Sequence, residues 1–557
     1  MRRTVGTPLG RRDVVLVSAL LLLGVGLPLA MAIAAGAIGV PSNDEWVYVL
    51  GADSLYRTGT ITMPSHTASA VGQILLMQPL LSLAGGASWA YSAFGLVMAA
   101  VGISSAYLLA RPDLGRPSAS LVAVLVIAIP GFARQSAGFM TDVPAFALAM
   151  LSLLLGVRWL RCGHWPWLLA SMVVGVVAVS VREFALAAPV AILAAAWLRH
   201  RPAERGPLLA ATVLTGAGVA AVLVGLRSTA LHGGLASPDL VRVYTAGPAL
   251  TTLAAILLAA AVPAFTRRLD SLRPLHVILG VGLVAFAFAV PTIGPLVGQF
   301  WMADGLVGNA LLSGTRQPVI GPAAWMLSEA LAVMAAVLMA ILTMRWAMRR
   351  LAGVHTITLA WARLRETGRL STAPLLLFLV VYACELAFFV SLNAYPLDRY
   401  LYPMVPVAAI LLLRKTAGRG WRLSRPLQSA ALAWLSASAL LITTNSFAYD
   451  AARWRAGEGA VALGYAAETV DAGYDWVGFH AGTHINAAAP AYGLTWYDDA
   501  FMVSPPCAVV SNSALDVPGY TLLRVDPTAY RQYLLVGSDQ PLYLYGAAKG
   551  PCPAPPG

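Results

Sequence analysis

The feature that most constrains the fold is a series of long apolar runs separated by short clusters of arginine. The first run extends from Val14 to Val40 without a charged residue. Hydrophobic residues make up 59% of the 557 positions and charged residues only 11%, whereas a soluble globular domain carries about 25% charged residues. Because about 20 apolar residues suffice to cross a bilayer, the sequence predicts an integral, multi-pass membrane protein.

The start of the chain also has features of a secretory signal peptide, since Arg2, Arg3, Arg11 and Arg12 precede the first apolar run. That run is long, however, no compelling small-residue cleavage site follows it, and many further apolar runs come after it. We therefore expect residues 14–38 to form an uncleaved first transmembrane helix.

The net charge of +12 indicates membrane topology rather than nucleic-acid binding. The basic residues are nearly all arginine, with lysine only at Lys415 and Lys549, and they form short clusters between apolar runs. Cytoplasmic loops of membrane proteins carry such an excess of positive charge. The pattern predicts a plasma (inner) membrane location with the N-terminus in the cytoplasm. It argues against nucleic acid as a partner.

The spacing of the arginine clusters predicts about thirteen spans, with the C-terminus on the extracytoplasmic side. The predicted spans are 14–38, 88–110, 118–133, 142–160, 166–181, 184–198, 208–226, 247–265, 275–295, 323–343, 373–392, 400–413 and 428–444. The stretch 71–86 is short and contains Pro79, so we expect it to lie as a helix along the outer interface. The fold class is therefore an all-α polytopic membrane domain over residues 1–444.

Residues 445–557 differ in character from the membrane domain. They contain ten acidic and five basic residues and no further apolar run long enough to cross a membrane. Local patterns there predict a helix over 451–470 and strands over 520–525 and 533–545, the second strand being broken by a turn at 537–540. We expect a small extracytoplasmic α/β domain.

Cysteine usage agrees with that placement. Cys507 and Cys552 both lie in the C-terminal segment, where an oxidising environment allows a disulfide between them. Cys162 and Cys384 are predicted on opposite sides of the membrane and should not pair.

Costly polar residues gather at the span ends that the topology places outside the membrane. A charge at the bilayer centre costs about 2.5–3.5 kcal/mol, and five outer loops carry such residues. They are Asp44, Glu45, His66, Arg134, Asp142, Arg182, Glu183, Gln299, Trp301, Asp304, Asp398, Arg399 and Tyr400. Because consecutive spans tend to be neighbours, we expect these ends to line one cavity.

The adjacent carboxylates of Asp44 and Glu45 are unfavourable at a membrane surface. We expect them to be solvated, to bind a cation or to take part in catalysis. No glycine-rich phosphate loop, CxxC pair or HExxH motif occurs, so nothing predicts nucleotide chemistry in the cytoplasm. ATP is absent outside the membrane, and a group transfer there needs a donor that is already activated. A sugar on a polyprenyl phosphate meets this requirement, because its lipid tail lies in the bilayer and its phosphate is the leaving group.

Such a transfer requires a carboxylate base for the acceptor hydroxyl and cationic groups for the departing phosphate. Asp44 or Asp142 is the candidate base. Arg134, Arg182 and Arg399 are candidates for the phosphate, because a guanidinium binds it bidentately. Asp44 and Asp142 could instead share a divalent cation, Mg²⁺ or Mn²⁺, through oxygen. The residues alone leave these options open.

Four features together resemble the GT-C superfamily of polytopic, lipid-phosphate-sugar-dependent glycosyltransferases. The resemblance is to the branch containing protein O-mannosyltransferases and lipid A aminoarabinose transferases, and it covers roughly residues 10–445. The features are Asp44-Glu45 after span one, the Pro79 stretch ending in Gly85-Gly86, Thr141-Asp142-Val143-Pro144 opening a span, and Asp398-Arg399-Tyr400-Leu401-Tyr402-Pro403.

The resemblance implies that Asp44 is the catalytic base. We expect a single displacement with inversion, in which Glu45 is a further catalytic candidate that orients its neighbour or a cation. The acceptor would be an envelope glycan, a lipid or a protein. A lysine of the aminoarabinose branch is missing and the first-loop proline pair is only Gln78-Pro79. An aminoarabinose donor is therefore not supported. The C-terminal segment also lacks the sugar-binding insert of the protein mannosyltransferases.

Four further residues are candidate substrate contacts, each with a structural alternative. His66 could touch donor or acceptor or be a polar loop residue. Trp301 could stack on a sugar or belong to an interfacial aromatic belt. Glu385 could line the cavity or pair with an arginine, and Tyr400 follows Arg399 at the same span end.

Two other function classes remain possible from the sequence. A transporter or flippase of lipid-linked sugars would need polar groups at the midplane and on both sides, whereas here they lie to one side. A non-catalytic envelope scaffold would retain the same motifs but tolerate substitution of the acidic residues.

Overall fold

The computed structural model describes most of the chain, and all statements below refer to that part. The described residues are 10–63, 70–199, 205–230, 247–266, 274–288, 296, 298, 300–303, 319–351, 372–392, 397–414, 424–482, 495–514, 519–534, 537–548 and 552.

Most of the described residues are helical, as the apolar runs predict. The helices are α1 Arg11–Leu21, α2 Leu27–Ala35, α3 Glu45–Thr58, α4 Val71–Leu83, α5 Trp89–Ile127, α6 Phe132–Ser136, α7 Asp142–Cys162, α8 Trp165–Val181, α9 Ala187–Trp197, α10 Arg205–Ala230, α11 Gly247–Ile256, α12 Leu258–Thr266, α13 Pro274–Phe288, α14 Pro322–Leu351, α15 Thr372–Ser391, α16 Met404–Leu413, α17 Ser424–Ala462, α18 Tyr474–Ala481 and α19 Trp496–Phe501. A π-helical turn joins α1 to α2, and short 3₁₀ segments precede α9 and α16.

Each predicted span overlaps a helix among the described residues. Within the described residues, seven helical segments are long and apolar enough to cross a membrane, and eight if the pair α11 and α12, bent by 75°, forms one span. The predicted span 88–110 and residues 118–127 of the next one fall in α5, on either side of a break in its helical backbone at Gly115, where φ is 74°. The break therefore separates the two predicted spans. The count of thirteen spans stays a prediction.

The C-terminal segment is joined to the membrane bundle by a continuous helix. α17 runs through the boundary predicted at residues 444 and 445 and ends at Ala462. Beyond it lies a four-stranded sheet in the order β1-β2-β4-β3, with β1 parallel to β2 and the other pairs antiparallel. Its strands are β1 Val470–Asp471, β2 Ala508–Ser511, β3 Tyr520–Arg531 and β4 Asp539–Ala547. The expected small domain with helices and strands is present.

One strand boundary was predicted wrongly. The sequence pattern suggests a strand from 533 to 545 with a turn at 537–540, but β4 begins only at Asp539. Tyr533 and Leu534 both take a positive φ, near 60°, a backbone conformation that a strand does not contain. The connection between β3 and β4 therefore lies earlier in the chain than predicted. Cys507 and Cys552 form a disulfide across this domain.

Four chain segments that carry predicted site residues meet at one end of the bundle. α3 begins at Glu45 after the chain leaves α2, α7 begins at Asp142, and α8 ends at Val181. The fourth segment is the 3₁₀ turn Asp398–Leu401 before α16. α18 of the C-terminal segment packs on α3 at the same end.

Candidate active site

Four charged side chains from these segments form one alternating chain of contacts. Arg399 Nη2 lies 3.2 Å from Asp44 Oδ2, and Arg399 Nε lies 3.7 Å from Asp142 Oδ2. Arg182 Nη1 lies 3.2 Å from Asp142 Oδ1. The predicted convergence of two carboxylates and two guanidinium groups is therefore a property of the fold, with two negative and two positive charges in direct contact.

Local sequence explains how two of these side chains are presented. Asp44 is the residue before α3, and it follows Asn43, whose φ of 54° turns the chain into the helix. Asparagine tolerates this left-handed conformation better than most residues. Asp142 is the first residue of α7, where the positive end of the helix dipole favours a carboxylate.

The two arginines are presented by breaks in helical structure. Arg182 directly follows the last residue of α8 and has an extended backbone, with a φ of −160°, so it lies outside the regular helix. Arg399 follows Asp398, a fully buried carboxylate that accepts the backbone N–H groups of Phe300 and Trp301 at 3.1 and 2.8 Å. Asp398 therefore fixes the turn that carries Arg399.

The four side chains differ in exposure, and this separates their roles. Those of Asp142, Arg399 and Arg182 are 2%, 5% and 10% exposed, whereas that of Asp44 is 22% exposed. A small opening lies beside three of them, Asp142, Arg182 and Arg399. Its lining residues are Asp142, Ala145, Arg182, Phe184, Ala185, Tyr382, Arg399, Tyr400 and Pro403.

The guanidinium groups stay cationic despite their burial. Burial alone would lower the pKa of Arg182 and of Arg399, but the adjacent carboxylate of Asp142 outweighs it, and the pKa of both groups is raised. The ring of Tyr400 lies under Arg182, 4.6 Å from its guanidinium carbon, and adds a cation–π contact. The opening is therefore lined by two permanent positive charges.

Two tyrosines complete the surroundings of Asp44, and neither is among the candidate site residues predicted from the sequence. Tyr474 Oη donates a 2.9 Å hydrogen bond to Asp44 Oδ1. Tyr48 is buried and lies within the electrostatic influence of all four charged groups. Burial and the charge of Asp44 raise the pKa of both phenols, which therefore remain protonated. Tyr48 follows Asp44 by four residues in a helix, a spacing that puts both on one face.

The structure separates Glu45 from Asp44. Glu45 is 3% exposed, accepts the backbone N–H of Ser42 at 3.2 Å, and lies 3.9 Å from Arg134 Nη1. Arg134 is 1% exposed and bonds Asp450 of α17 at 3.0 Å. Burial raises the pKa of Glu45 to about 7, against the opposing charge of Arg134. Glu45 and Arg134 therefore lie in a second buried cluster, and their catalytic and phosphate-binding roles stay predictions.

The remaining candidate residues have different surroundings. Tyr400 lines the opening. Trp301 is fully buried, packs on Trp434 at a ring distance of 5.4 Å, and donates its backbone N–H to Asp398. Glu385 is on α15 with carboxylate oxygens shielded from solvent, and no ion pair to it occurs in the described part of the chain. His66, Gln299 and Asp304 lie outside the described residues.

The arrangement does not fit a divalent cation shared by Asp44 and Asp142. The guanidinium of Arg399 contacts both carboxylates, so a positive charge already occupies the space between them. Among the described residues no group of three His, Cys, Asp or Glu side chains is placed to hold a metal ion.

One family model matches part of the chain. Residues 72–226 match the family model of dolichyl-phosphate-mannose-protein mannosyltransferases. This match confirms the resemblance expected from the motifs, and it includes Asp142 and Arg182 but covers less than a third of the chain. No curated protein sequence matches the chain.

Two solved structures are similar to the chain at low sequence identity. One is the archaeal oligosaccharyltransferase AglB from Archaeoglobus fulgidus, in complex with an inhibitory peptide and a dolichol-phosphate. Its identity is 14%, its TM-score is 0.42, and the alignment covers 90% of this chain and 69% of that one. The other is ArnT from Cupriavidus metallidurans bound to undecaprenyl phosphate. It has 13% identity, a TM-score of 0.40, and coverage of 96% and 99%.

Proposed function

We propose that this protein is a membrane glycosyltransferase that moves a sugar from a polyprenyl-phosphate-sugar donor to an acceptor hydroxyl on the extracytoplasmic face. The observation that carries the proposal is the contact chain Asp44–Arg399–Asp142–Arg182 beside an opening. This set supplies a base and two phosphate-binding cations within one site. The family model that matches residues 72–226 also supports the proposal, because it describes enzymes named for dolichyl-phosphate-mannose, a lipid-phosphate sugar.

The reaction is a single displacement with inversion at the anomeric carbon. The acceptor oxygen forms a bond to that carbon while the bond from the carbon to the phosphate oxygen breaks. The hydroxyl proton passes to the carboxylate of Asp44. The polyprenyl phosphate leaves as a monoester, and all atoms and charges are accounted for without another reactant.

Arg182 and Arg399 act on the leaving group. The donor phosphate is a diester with one negative charge, and the departing monoester carries up to two. Cations fixed beside the phosphate therefore stabilise the transition state more strongly than the bound donor, which is the condition for raising the rate. Their raised pKa values keep both groups charged across the physiological range.

Asp44 suits the role of base better than Asp142. Asp142 contacts both arginines and has a 2% exposed side chain, so it holds the two cations in place. Asp44 contacts only Arg399 of the pair and is 22% exposed. A donor phosphate that binds Arg399 competes with Asp44 for the guanidinium, and a carboxylate released from a cation is a stronger base.

The topology and domain organisation belong to the same proposal. The N-terminus lies in the cytoplasm, residues 1–444 form the membrane catalytic domain, and residues 445–557 lie outside the membrane. With this orientation the contact chain faces the side where lipid-linked sugars are used without ATP. The acceptor is a component of the cell envelope.

The experiment is transfer by the purified full chain in nanodiscs. The donors are polyprenyl phosphates that carry mannose, galactose, glucose or arabinose, the acceptors are octyl glycosides, and release of polyprenyl phosphate is measured. Loss of a general base lowers the rate by roughly 10²–10⁴-fold, which is expected for Asp44→Asn. The matched control is Asp53→Asn, on the same helix but bonded to Tyr91.

Two results would overturn parts of the proposal. Full activity of a folded Asp44→Asn protein would show that Asp44 is not the general base. If the wild-type protein releases polyprenyl phosphate from none of the donors, the glycosyltransferase function itself fails.

A further inference from the structure

An aromatic cluster of the C-terminal segment adjoins Asp44, and the proposed mechanism does not use it. Tyr474 of α18 packs on Trp496 and Phe501 of α19, with ring distances of 5.3 and 6.2 Å. Phe501 packs on Trp46 of α3 at 5.3 Å. The cluster therefore joins three helices, one of which begins beside Asp44.

Burial divides this cluster into a packing part and an exposed part. Trp46 is fully buried, and Tyr497 and Phe501 are each 2% exposed, as rings that hold helices together should be. Trp496 is 54% exposed. Its exposed face therefore adds little to the core, although its other contacts hold the ring in place.

The position of Trp496 is set by local hydrogen bonding as well as by packing. Thr495 precedes α19, and its side chain accepts the backbone N–H of Asp498 at 3.1 Å, which fixes the start of the helix. The ring of Trp496 then lies against Tyr474 and, at 5.9 Å, Tyr497. An exposed aromatic ring held in this way is preorganised for a ligand.

A direct link connects this ring to the candidate base. The phenol of Tyr474 contacts Trp496 through its ring and Asp44 through its hydroxyl, which donates the 2.9 Å hydrogen bond. A single side chain therefore separates the exposed indole from the carboxylate.

We propose that Trp496 and Tyr474 form the acceptor subsite and that the acceptor is a carbohydrate. This proposal rests on the glycosyltransferase function above and selects one of the acceptor classes left open there. A sugar ring presents a face of C–H bonds that packs on an aromatic face, while its hydroxyl groups stay in water; tryptophan has this amphipathic character. A glycan with one residue stacked on Trp496 presents a neighbouring hydroxyl to Asp44.

The first experiment measures binding without any donor. The full chain is labelled with 5-fluorotryptophan in nanodiscs, and the fluorine resonance of Trp496 is assigned with the Trp496→Phe variant. Oligosaccharides of mannose, galactose, glucose and arabinose are added in turn. We expect at least one of them to shift the Trp496 resonance. The resonance of Trp89, which is 48% exposed at the start of α5, should stay in place.

Two outcomes of this titration overturn the subsite. One is the absence of a Trp496 shift with every oligosaccharide. The other is a shift caused by lipid vesicles without a saccharide, which would assign Trp496 to the membrane surface. A saccharide-dependent shift in a protein that turns over no donor would support the subsite and contradict the proposed enzyme.

The second experiment uses turnover. Loss of one stacking contact of about 1.4 kcal/mol corresponds to tenfold weaker binding, so Trp496→Ala should raise the acceptor KM about tenfold, with a smaller effect on kcat. Trp496→Phe should restore part of the affinity because it keeps an aromatic face. The matched control Trp89→Ala removes an equally exposed indole and should leave the acceptor KM unchanged. An unchanged acceptor KM in Trp496→Ala overturns the subsite while donor turnover still stands.

Discussion

Tyr474 of the C-terminal segment donates a 2.9 Å hydrogen bond to Asp44 at the start of α3. The two residues are 430 positions apart in the chain. Asp475, the next residue, bonds Arg453 and Trp454 of α17, so α18 is tied to the long helix at the point where it reaches Asp44. The surroundings of the candidate base are therefore completed by the segment outside the membrane bundle.

Tyr474→Phe should lower the rate and change its pH dependence. The substitution keeps the ring in the aromatic cluster and removes only the hydroxyl. A hydrogen bond to a charged group contributes about 1.5–3 kcal/mol, so we expect a loss of roughly 10–100-fold in kcat/KM. A carboxylate without this donor holds its proton more tightly, and the acidic limb of the pH–rate profile should move to higher pH.

The pH profile also tests whether Tyr474 acts through Asp44. If the substitution only disturbed packing, the rate would fall by the same factor at every pH. Tyr497→Phe, a buried tyrosine of the same cluster that does not bond Asp44, is the matched control and should leave the acidic limb in place.

Arg399→Lys should slow the chemical step although it keeps the charge. The guanidinium contacts Asp44 through Nη2 and Asp142 through Nε, and a single ammonium group does not reproduce both directions. Loss of one preorganised donor to a developing charge costs about 10²–10³ in kcat. Steady-state kinetics with a polyprenyl-phosphate sugar measures this, and Arg57→Lys, on the exposed side of α3, is the control. A raised donor KM with unchanged kcat would assign Arg399 to ground-state binding instead.

Much of the helical architecture is predictable from local sequence. Each apolar run coincides with a helix because about 20 consecutive apolar residues satisfy both the bilayer and the backbone hydrogen bonds. The separation of two predicted spans within α5 was also predictable, since Arg111 and Arg116 mark a loop and the helical backbone breaks between them at Gly115. Their partner was not predictable, because both arginines bond the buried Asp13 of α1, about 100 residues earlier in the chain.

The site was predictable only in part, for the same reason. The charged residues at span ends identified Asp44, Asp142, Arg182 and Arg399, because charges are costly there. Glu45 lies in a different buried cluster from Asp44, and that cluster depends on Asp450, more than 400 residues away. No local sequence pattern indicates this contact. Tyr474 likewise reaches Asp44 through tertiary packing.

Glu45→Gln should preserve the stability of the protein, whereas Asp450→Asn should lower it. The guanidinium of Arg134 lies between two carboxylates. It is 3.0 Å from Asp450 and 3.9 Å from Glu45. The pKa of Glu45 is raised to about 7 by burial, so the stability that depends on its protonation is present at acidic pH and is lost as the pH rises through about 7. Glutamine mimics the protonated form and should preserve folding and transfer.

Asp450→Asn should instead destabilise the protein, because it leaves Arg134 buried without its hydrogen-bonded carboxylate. Removal of one partner of a buried ion pair costs about 3–5 kcal/mol. Thermal unfolding in detergent at pH 6 and pH 8 compares the two variants. Equal destabilisation by both substitutions would contradict the assignment of Asp450 as the principal partner.

Asp498→Asn should stabilise the C-terminal domain at alkaline pH. Burial raises the pKa of Asp498 to about 9, and Asp471 of β1, whose own pKa is raised to about 6, adds a like charge. An unfolded aspartate titrates near 3.9. The folded domain therefore binds a proton that the unfolded chain lacks between these pH values, and its stability falls as the pH rises from about 4 to about 9. Asparagine does not titrate, so the variant lacks this pH-dependent loss of stability.

Amide hydrogen exchange of β1, β2 and α19 in the full chain measures this effect locally. At pH 8 these segments should exchange more slowly in Asp498→Asn than in the wild-type protein, and the difference should shrink at pH 5. Asp499→Asn, one position along the same helix and only partly buried, is the control for an added amide. If the two proteins differ equally at both pH values, the change reflects packing, and Asp498 does not couple protonation to the stability of the domain that presents Tyr474.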